Sequence, residues 1–221
     1  MSTFVIGDVH GCLQALEAVM SAANPVMDDT VIFLGDYVDR GPHSAQVLDW
    51  ILQHRGDKWV TLLGNHEIMM MDFRDQSPDT SSWLEYGGAE TLQSYGIEYS
   101  PDWHKQVPDE HWQFLENTLP YFEAGHYIFV HAGLQPGIAL EAQMPRTLFW
   151  DKYEYPLPYA PDKRIVTGHT ARKNGLVADY GHTINIDTYV YGGQWLTCLE
   201  VDSGKYWQGN QQADTRIGHL A

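Results

Sequence analysis

Five strand-like runs, each ending just before groups that can bind a metal ion, constrain the fold of this chain more than any other feature. The runs are apolar or β-branched, as buried strands are: Thr3 to Ile6, Val31 to Leu34, Val60 to Leu63, Ile128 to Val130 and Ile165 to Thr167. The polar segments after them are Gly-Asp8-Val-His10-Gly, Gly-Asp36-Tyr-Val-Asp39-Arg40-Gly, Gly-Asn65-His66-Glu67, His131-Ala-Gly and Gly-His169-Thr. Because ligands bind beyond the carboxyl ends of strands in open α/β sheets, we predict an α/β fold in which these segments converge.

The rest of the chain fits one domain of strands and helices. Apolar residues at helical spacing predict helices over 13–23 and 44–54, and further strands are expected over 183–187, 195–201 and 205–208. The chain has 221 residues and contains no Pro/Gly/Ser-rich linker. We therefore expect a single domain over residues 1–221.

A helical, aromatic-rich insertion is predicted at about residues 72–125, between the third and fourth motifs. Trp83, Tyr86, Tyr95, Trp103 and Trp112 lie there among polar residues and turn signals. Two interpretations are open: a small satellite core that covers the edge of the sheet, or a wall against which a substrate packs. We prefer the first.

The charge balance argues against two classes of partner. Asp and Glu number 29 against 13 Lys and Arg, which gives a formal net charge of −16, whereas nucleic acids and anionic membranes attract positive surfaces. We therefore expect neither as a partner. A cytoplasmic location is expected, since no apolar stretch suits a bilayer, the first motif leaves no room for a signal peptide, and Cys12 and Cys198 suggest no disulfide framework.

The motif residues supply oxygen and imidazole ligands without sulfur. The candidate ligands are Asp8, His10, Asp36, Asn65, His131 and His169. Asp8 and His10 lie two residues apart, so both can reach one ion, and Asp36 can bridge two. Such a mixed set predicts two divalent ions, with Mn²⁺ preferred and Fe or Zn²⁺ as alternatives. Two ions about 3.5 to 4 Å apart would share and activate a water for phosphoryl transfer.

Three further motif residues are expected to act on the substrate rather than on the metal. Arg40 follows Asp39 in a Gly-containing loop, and its guanidinium can hold two phosphoryl oxygens. His66 follows Asn65, so its side chain is expected to point away from the ligand set yet stay near the ions. Paired with Asp39, His66 suits the role of general acid for an alkoxide leaving group.

Taken together in this order, the five segments resemble the phosphoprotein phosphatase family of metal-dependent serine/threonine phosphatases, in its compact bacterial and phage form. The similarity runs from Gly7 to about Gly193. It implies a calcineurin-like metallophosphatase fold, with a central β-sandwich of two mixed sheets flanked by helices and a dinuclear centre at the sheet edge. It also implies ligands Asp8, His10 and Asp36 for the first ion, ligands Asp36, Asn65, His131 and His169 for the second, an acid pair of Asp39 and His66, and phosphate contact by Arg40.

One departure from the family concerns phosphate binding. Bacterial relatives often carry an Arg shortly after a Trp in the segment that corresponds to Leu148 to Lys152, and here that position is Lys152, a point charge without the bidentate fork. Arg146, Arg172 or Arg74 are candidates to replace it.

The function expected from these motifs is hydrolysis of phosphomonoesters through an activated water. Phosphoserine or phosphothreonine in proteins is the preferred substrate, with phosphotyrosine or a small phosphoester also open. A diadenosine polyphosphate hydrolase is the alternative enzyme, although that branch tends to differ at the positions of Glu67 and Asp39. An inactive scaffold that binds phosphorylated partners is the alternative outside enzymes.

Overall fold

The strands of the computed structural model, which describes residues 1–76 and 82–220, form two mixed sheets. The strands are β1 (Thr3–Ile6), β2 (Thr30–Phe33), β3 (Trp59–Thr61), β4 (Tyr121–Ala124), β5 (Tyr127–Val130), β6 (Arg164–Thr167), β7 (Ala178–Asp179), β8 (Thr183–Asn185), β9 (Leu196–Glu200), β10 (Lys205–Gly209) and β11 (Thr215–His219). The first sheet has the order β11-β10-β9-β1-β2-β3, and the second has the order β4-β5-β6-β8-β7. Pairing is parallel among β1, β2 and β3 and among β5, β6 and β8, so their carboxyl ends share an edge.

Helices follow the strands and flank the sheets. The α-helices are α1 (Leu13–Ala23), α2 (Ser44–His54), α3 (Asn65–Arg74), α4 (Gly88–Ser94), α5 (Asp109–Glu116) and α6 (Pro145–Phe149), and a short 3₁₀ helix spans Trp83–Tyr86. Helix α1 ends at Asn24, which adopts a left-handed conformation with φ 49° immediately before Pro25. No helix in the described ranges is both long and apolar enough to cross a membrane.

The alternation of side chains along each strand divides the apolar residues between different cores. The core between the two sheets contains Val5, Ile32 and Leu199 from the first sheet and Phe129, Val166 and Ile184 from the second. On the outer face of the first sheet, Phe4, Ile6, Val31 and Phe33 pack with residues of α1 and α2. On the outer face of the second sheet, Ile128, Val130 and Ile165 pack with Leu148 and Phe149 of α6. Covering both faces explains why these strands are continuous apolar runs.

The structure confirms the predicted fold class, an α/β sandwich of two mixed sheets with flanking helices. The helices predicted over 13–23 and 44–54 have those bounds. Strands β4, β7 and β11 lack a sequence signal of their own. Strand β11 is an edge strand with alternating exposed positions, and β7 has two residues, so neither forms the apolar run that marks a buried strand.

The predicted insertion is mainly helical within its described residues and packs on the first core. Trp83, Trp103 and Trp112 belong to the same apolar cluster as the residues of α1 and α2, rather than to a separate satellite. The last residues of the predicted range, Tyr121–Ala124, form β4 at the edge of the second sheet. Residues 77–81 of this range lie outside the described part of the chain.

Candidate metal centre

Loops at the carboxyl ends of five strands carry the predicted ligands. Asp8 and Asp36 follow β1 and β2, and Asn65 begins α3 after β3. His131 and His169 follow β5 and β6 in the second sheet. The structure brings these side chains together, because the two groups of parallel strands end at the same side of the sandwich.

Near the first predicted ion, the ligand atoms of one group, His10, Asp36 and His66, lie within 4.8 Å of one another. His66, which the sequence assigns to the substrate, thus lies closer to the ligand set than expected. His10 Nε2 lies 3.3 Å from Asp36 Oδ2. His10 Nδ1 lies 3.0 Å from the backbone oxygen of Val38. Since a carbonyl oxygen only accepts hydrogen bonds, the proton resides on Nδ1, and the Nε2 lone pair, which accepts from Arg40 Nη1 at 2.8 Å, is the one that a metal ion would use.

The second group consists of Asp36, His131 and His169. His131 Nε2 lies 3.4 Å from Asp36 Oδ1 and 3.0 Å from Asn65 Oδ1. His131 Nδ1 donates to the backbone oxygen of Leu34 at 2.9 Å, so Nε2 is again the nitrogen left for coordination. Because Asp36 belongs to both groups, with one oxygen toward each, it has the position of a bridging carboxylate.

The buried carboxylate of Asp8 tests whether cations fit this arrangement. Asp8 Oδ2 accepts a hydrogen bond from the backbone N–H of His169 at 2.9 Å, whereas the buried Oδ1 has no hydrogen-bond partner among the described residues. Burial and the nearby carboxylates of Asp187 and Asp36 raise the pKa of Asp8 well above its usual value. An unpartnered oxygen among like charges is the environment that a divalent cation would stabilise, so the donor set fits two ions.

The charge states of the candidate ligands suit metal binding. Burial lowers the pKa of His10 and of His131, and burial together with the nearby His131 lowers the pKa of His169 to about 4, so all three imidazoles are neutral at pH 7. Burial opposes ionisation of Asp36, but the imidazoles of His131 and His66 outweigh it and hold the pKa of Asp36 below its usual range. Metal ions bind neutral imidazoles and ionised carboxylates.

Left-handed backbone conformations mark these loops. His10, Asp36, Asp39, Arg40 and His169 all have φ between 45° and 72°. In residues other than glycine such conformations cost about 1–3 kcal/mol each and concentrate at functional sites, where the surrounding structure maintains them.

Two glycines of the motifs are required by close contact with ligand carboxylates. A Cβ at Gly168 would lie 1.9 Å from Asp8 Oδ1, and a Cβ at Gly64 would lie 2.2 Å from Asp36 Oδ1. Any side chain at these positions would displace a candidate metal ligand.

The predicted acid pair is present and buried. His66 Nδ1 lies 2.6 Å from Asp39 Oδ2. Burial opposes protonation of His66, but the carboxylates of Asp36 and Asp39 outweigh it and raise the pKa of His66 above its usual value. Two residues that the sequence did not assign to the site hold Asp39 in place: Trp83 Nε1–H donates to Asp39 Oδ2 at 3.0 Å, and the Thr91 hydroxyl donates to Oδ1 at 2.7 Å.

Glu67, the last residue of its motif, has a role that the sequence did not reveal. Its side chain is fully buried and accepts hydrogen bonds from the backbone N–H groups of Asp36, Tyr37 and Val38 at 2.8, 2.7 and 3.3 Å. It also accepts from the N–H of Gly64 at 3.0 Å. Glu67 therefore joins the Asp36 loop to the start of α3, which carries Asn65 and His66.

Asp187 is a second buried carboxylate that sequence reasoning left without a role. It follows β8, at the same edge of the second sheet as His131 and His169, and it faces Asp8. Burial and the charge of Asp36 raise the pKa of Asp187 to about 6. The signal that could have identified it is its place directly after a strand, which it shares with the predicted ligands.

Of the predicted substrate-binding cations, Arg40 and Lys152 line the cavity beside the candidate ligands. This cavity has a volume of about 260 Å³, and Tyr86, Trp150 and Tyr191 also line it. Arg40 Nη1 lies 2.8 Å from His10 Nε2, and its guanidinium stacks on the ring of Tyr191 at 4.3 Å.

The three arginines considered as replacements lie outside the lining of this cavity. Arg74 pairs with Asp75 and Glu116, while Arg146 pairs with Asp151. Arg172 lies beside the hydroxyl of Tyr180. The positions of these arginines therefore do not support a contact with phosphate, whereas the position of Lys152 in the cavity lining does.

The convergent carboxylates and imidazoles indicate a metal-dependent phosphoesterase, and comparison with known proteins supports this. Residues 1–195 match the model of the calcineurin-like phosphoesterases. The chain belongs to the calcineurin-like phosphoesterase family. Family membership confirms the metallophosphatase part of the predicted resemblance, whereas its serine/threonine type stays a prediction.

Two relatives of this phosphoesterase carry the same name. The symmetrical bis(5'-nucleosyl)-tetraphosphatase of Pseudomonas entomophila (strain L48) is 33% identical over 150 residues, which cover 64% of this chain and 47% of that protein. The chain thus spans about half the length of that relative. The protein of the same name from Aliivibrio fischeri (strain ATCC 700601 / ES114) is 24% identical over 94% of this chain and 97% of its own length.

Among solved structures, a cold-active protein-tyrosine phosphatase of a psychrophilic Shewanella species superposes on this phosphoesterase. Its TM-score is 0.67 at 15% identity, and the alignment covers 98% of this chain and 80% of the other. At this identity the similarity shows a shared fold only.

Proposed function

We propose that this phosphoesterase is a phosphomonoesterase that acts on phosphoserine and phosphothreonine in proteins, with phosphotyrosine as a further substrate. The observation that carries the proposal is the buried His66–Asp39 pair, 2.6 Å apart, in the wall of the cavity that holds the candidate metal ligands. A serine or threonine alkoxide is a poor leaving group, and its departure needs a proton from a positioned acid.

The motif residues have distinct tasks in this proposal. Divalent ions held by Asp8, His10, Asp36, Asn65, His131 and His169 would polarise the phosphoryl group and activate water. Arg40, whose guanidinium stacks on Tyr191, would contact phosphoryl oxygens. Asp39 accepts the Nδ1–H of His66 and stabilises the protonated ring, so the proton on Nε2 of that imidazolium is the one available to the leaving oxygen.

The dependence of rate on the leaving group tests the assigned role of His66. In the His66→Asn variant we expect turnover of a phosphoserine peptide to fall by about 100-fold or more, because the acid is lost. Turnover of p-nitrophenyl phosphate should fall much less, because nitrophenolate leaves without a proton. The measurement is kcat for both substrates, together with the metal content of each protein.

The matched control is His219→Asn, which makes the same substitution on the edge strand β11. This control should retain the activity of the parent on both substrates. An equal loss on both substrates, or parent activity in His66→Asn, would reject the acid role.

A dinucleoside polyphosphate hydrolase is the second candidate function. It is supported by the names of the two curated relatives and by aromatic side chains at the mouth of the cavity, where Tyr86 is 57% and Trp150 is 41% exposed. Exposed rings of this kind can stack on nucleobases. Against it stands the acid pair, since a nucleoside diphosphate leaves readily as an anion without a proton.

A direct comparison of substrates separates the two functions. We expect kcat/KM to be higher for a phosphoserine peptide than for diadenosine tetraphosphate when both are assayed with added Mn²⁺. The opposite order, with a rise in KM for diadenosine tetraphosphate in Trp150→Ala, would establish the second candidate. Absence of turnover with both substrates and with p-nitrophenyl phosphate would leave only the inactive scaffold.

A further inference from the structure

A second cavity lies behind the candidate metal centre and is separate from it. Its volume is about 360 Å³, within the range of about 300–1,000 Å³ that is usual for small-molecule sites. Two chain segments form the partition between the cavities: Trp150, Lys152, His169 and Ala171 face the metal centre, while Asp151, Tyr153 and Thr170 face the second cavity. The segments are joined by hydrogen bonds from Tyr153 N–H to the Thr170 hydroxyl at 3.2 Å and from His169 Nε2 to the Trp150 oxygen at 3.1 Å.

The floor of the second cavity is an unusually polar patch of the sheet. Ile165 pairs with Thr183 and Thr167 pairs with Asn185 in the register of β6 and β8, and all four line the cavity. The three polar residues are 95–96% buried, with exposed fractions of 4%, 4% and 5% for Thr167, Thr183 and Asn185. Elsewhere this face of the sheet carries aliphatic side chains such as Ile128 and Val130.

The hydroxyl of Thr167 is the polar group of the floor that is left to bind a ligand. It makes no hydrogen bond with any described residue. The Thr183 hydroxyl, by contrast, lies 3.0 Å from His182 Nδ1, and the Asn185 amide donates to the Gly168 oxygen at 2.8 Å. A hydroxyl that lines a cavity in this way is available to pair with solvent or with a ligand.

The walls of the cavity are aromatic and held in fixed positions. Tyr159 donates its hydroxyl to the Ile138 oxygen at 2.9 Å, and Tyr180 donates to the Glu154 oxygen at 2.6 Å. Tyr155, which is 83% exposed, stands at the mouth. Rigid tyrosine rings offer planar surfaces to another ring at little cost in conformational entropy.

The charge of the lining restricts the class of ligand. No Lys, Arg or His of the described chain lines this cavity, and its charged lining residue is Asp151, which already pairs with Arg146. The cavity therefore favours an uncharged ring over a phosphate. A phenyl ring would leave the Thr167 hydroxyl unpaired and an indole offers it only a donor, whereas the edge of a nucleobase carries both donors and acceptors that can pair with it.

We propose that this cavity is a binding site for an uncharged planar heteroaromatic ligand of nucleoside size, stacked on its tyrosines and hydrogen-bonded to Thr167. The inference does not depend on the substrate of the metal centre. Asn185 lines the cavity and donates a hydrogen bond to the oxygen of Gly168, the residue before the candidate ligand His169. A bound ring in contact with Asn185 would therefore be connected to the loop of His169 through this hydrogen bond.

Calorimetric titration with adenosine and guanosine tests the proposal without any measurement of turnover. We expect saturable binding of at least one of them to the 221-residue chain, and AMP should bind no more tightly than its nucleoside. Thr167→Val, which keeps the shape of the side chain, should weaken binding by about tenfold. Tyr155→Ala should also weaken it, and this exposed position carries little risk to folding.

Two control variants decide where the nucleoside binds. Thr215→Val makes the same change on the exposed end of β11, and Trp150→Ala removes the ring at the mouth of the metal-site cavity. Neither should alter nucleoside affinity. Weaker binding in Trp150→Ala, unchanged binding in both Thr167→Val and Tyr155→Ala, tighter binding of tryptophanamide than of either nucleoside, or absence of nucleoside binding at millimolar concentration would each overturn the proposal.

Discussion

At the scale of single residues, the site depends on side chains that orient other side chains. His66 is positioned by Asp39, and Asp39 is in turn held by Trp83 and Thr91. The aromatic residue Trp83 is fully buried, and its indole N–H lies within 3.1 Å of both carboxylate oxygens of Asp39. Through this buried hydrogen bond from Trp83 to Asp39, the insertion contributes to the catalytic machinery of the proposed phosphatase.

The substitution Trp83→Phe tests this contact. Removing the indole N–H leaves the buried carboxylate with one donor fewer, so we expect the free energy of unfolding to fall by about 1–3 kcal/mol. Loss of orientation of His66 should also lower kcat on a phosphoserine peptide by about tenfold at unchanged KM. Urea denaturation and steady-state kinetics measure the two effects.

The control for this variant is Trp103→Phe, a similarly buried ring of the same apolar cluster whose indole has no role in the acid pair. It should lower stability without a specific loss of kcat. Equal kcat in Trp83→Phe and the parent would show that Trp83 only fills the core.

The residues that could be predicted from the sequence are those whose residue type and position after a strand already indicate their role. His10, Asp36 and His131 are predicted ligands because each lies after a strand, and the structure places them together. Asp8, predicted in the same way, lies beside Asp36 and Asp187. Glu67 has a carboxylate like the aspartate ligands, yet this carboxylate accepts hydrogen bonds from backbone N–H groups of a loop about thirty residues away in sequence. Nothing in sequence spacing reveals such a contact, since it arises only when the strands are paired.

At the scale of elements, Glu67 joins the Asp36 loop to helix α3. The carboxylate accepts hydrogen bonds from three consecutive N–H groups of that loop and from Gly64. Asp36 has a left-handed backbone with φ 53°, and these bonds help to hold it in that conformation.

In the Glu67→Gln variant, an amide NH₂ group replaces one acceptor oxygen and faces backbone donors. We expect the free energy of unfolding to fall by about 1–3 kcal/mol, because buried backbone N–H groups lose their acceptor. The affinity for Mn²⁺ should fall by about tenfold or more, since partners that orient ligands affect metal affinity to this degree. Urea denaturation and titration of Mn²⁺ measure these changes.

Glu98→Gln provides the matched control for this prediction because Glu98 is an exposed carboxylate of the insertion. It should change neither the stability nor the affinity for Mn²⁺ appreciably. Parent-like Mn²⁺ affinity in Glu67→Gln would refute the role of Glu67 as the link between the loop and α3.

The elements predicted from the sequence are those with both faces buried or with a complete amphipathic stripe. Strand β1 and helices α1 and α2 have the expected bounds because their apolar positions follow the period of the element. Strand β4 lies inside the range assigned to the insertion, since Tyr121–Ala124 carries half-buried and exposed positions and pairs only at the edge of the sheet. Its identity as a strand comes from pairing with β5, which is a tertiary contact.

At the scale of the whole molecule, the sandwich gathers negative charge at one place. Asp8, Asp36 and Asp187 are buried beside one another, although the chain already has a formal net charge of −16. Such a cluster is unfavourable without counter-charge. Two divalent ions would supply that counter-charge, and they would also reverse the local field that an anionic phosphoester meets on approach.

Metal stoichiometry is the sharpest test of a dinuclear centre, because both proposed ions share Asp36. Elemental analysis of protein loaded with Mn²⁺ and freed of excess metal should give two equivalents per chain. Asp36→Asn should lose both ions together with activity. One equivalent or none in the parent protein, or two equivalents retained in Asp36→Asn, would contradict a dinuclear centre bridged by Asp36.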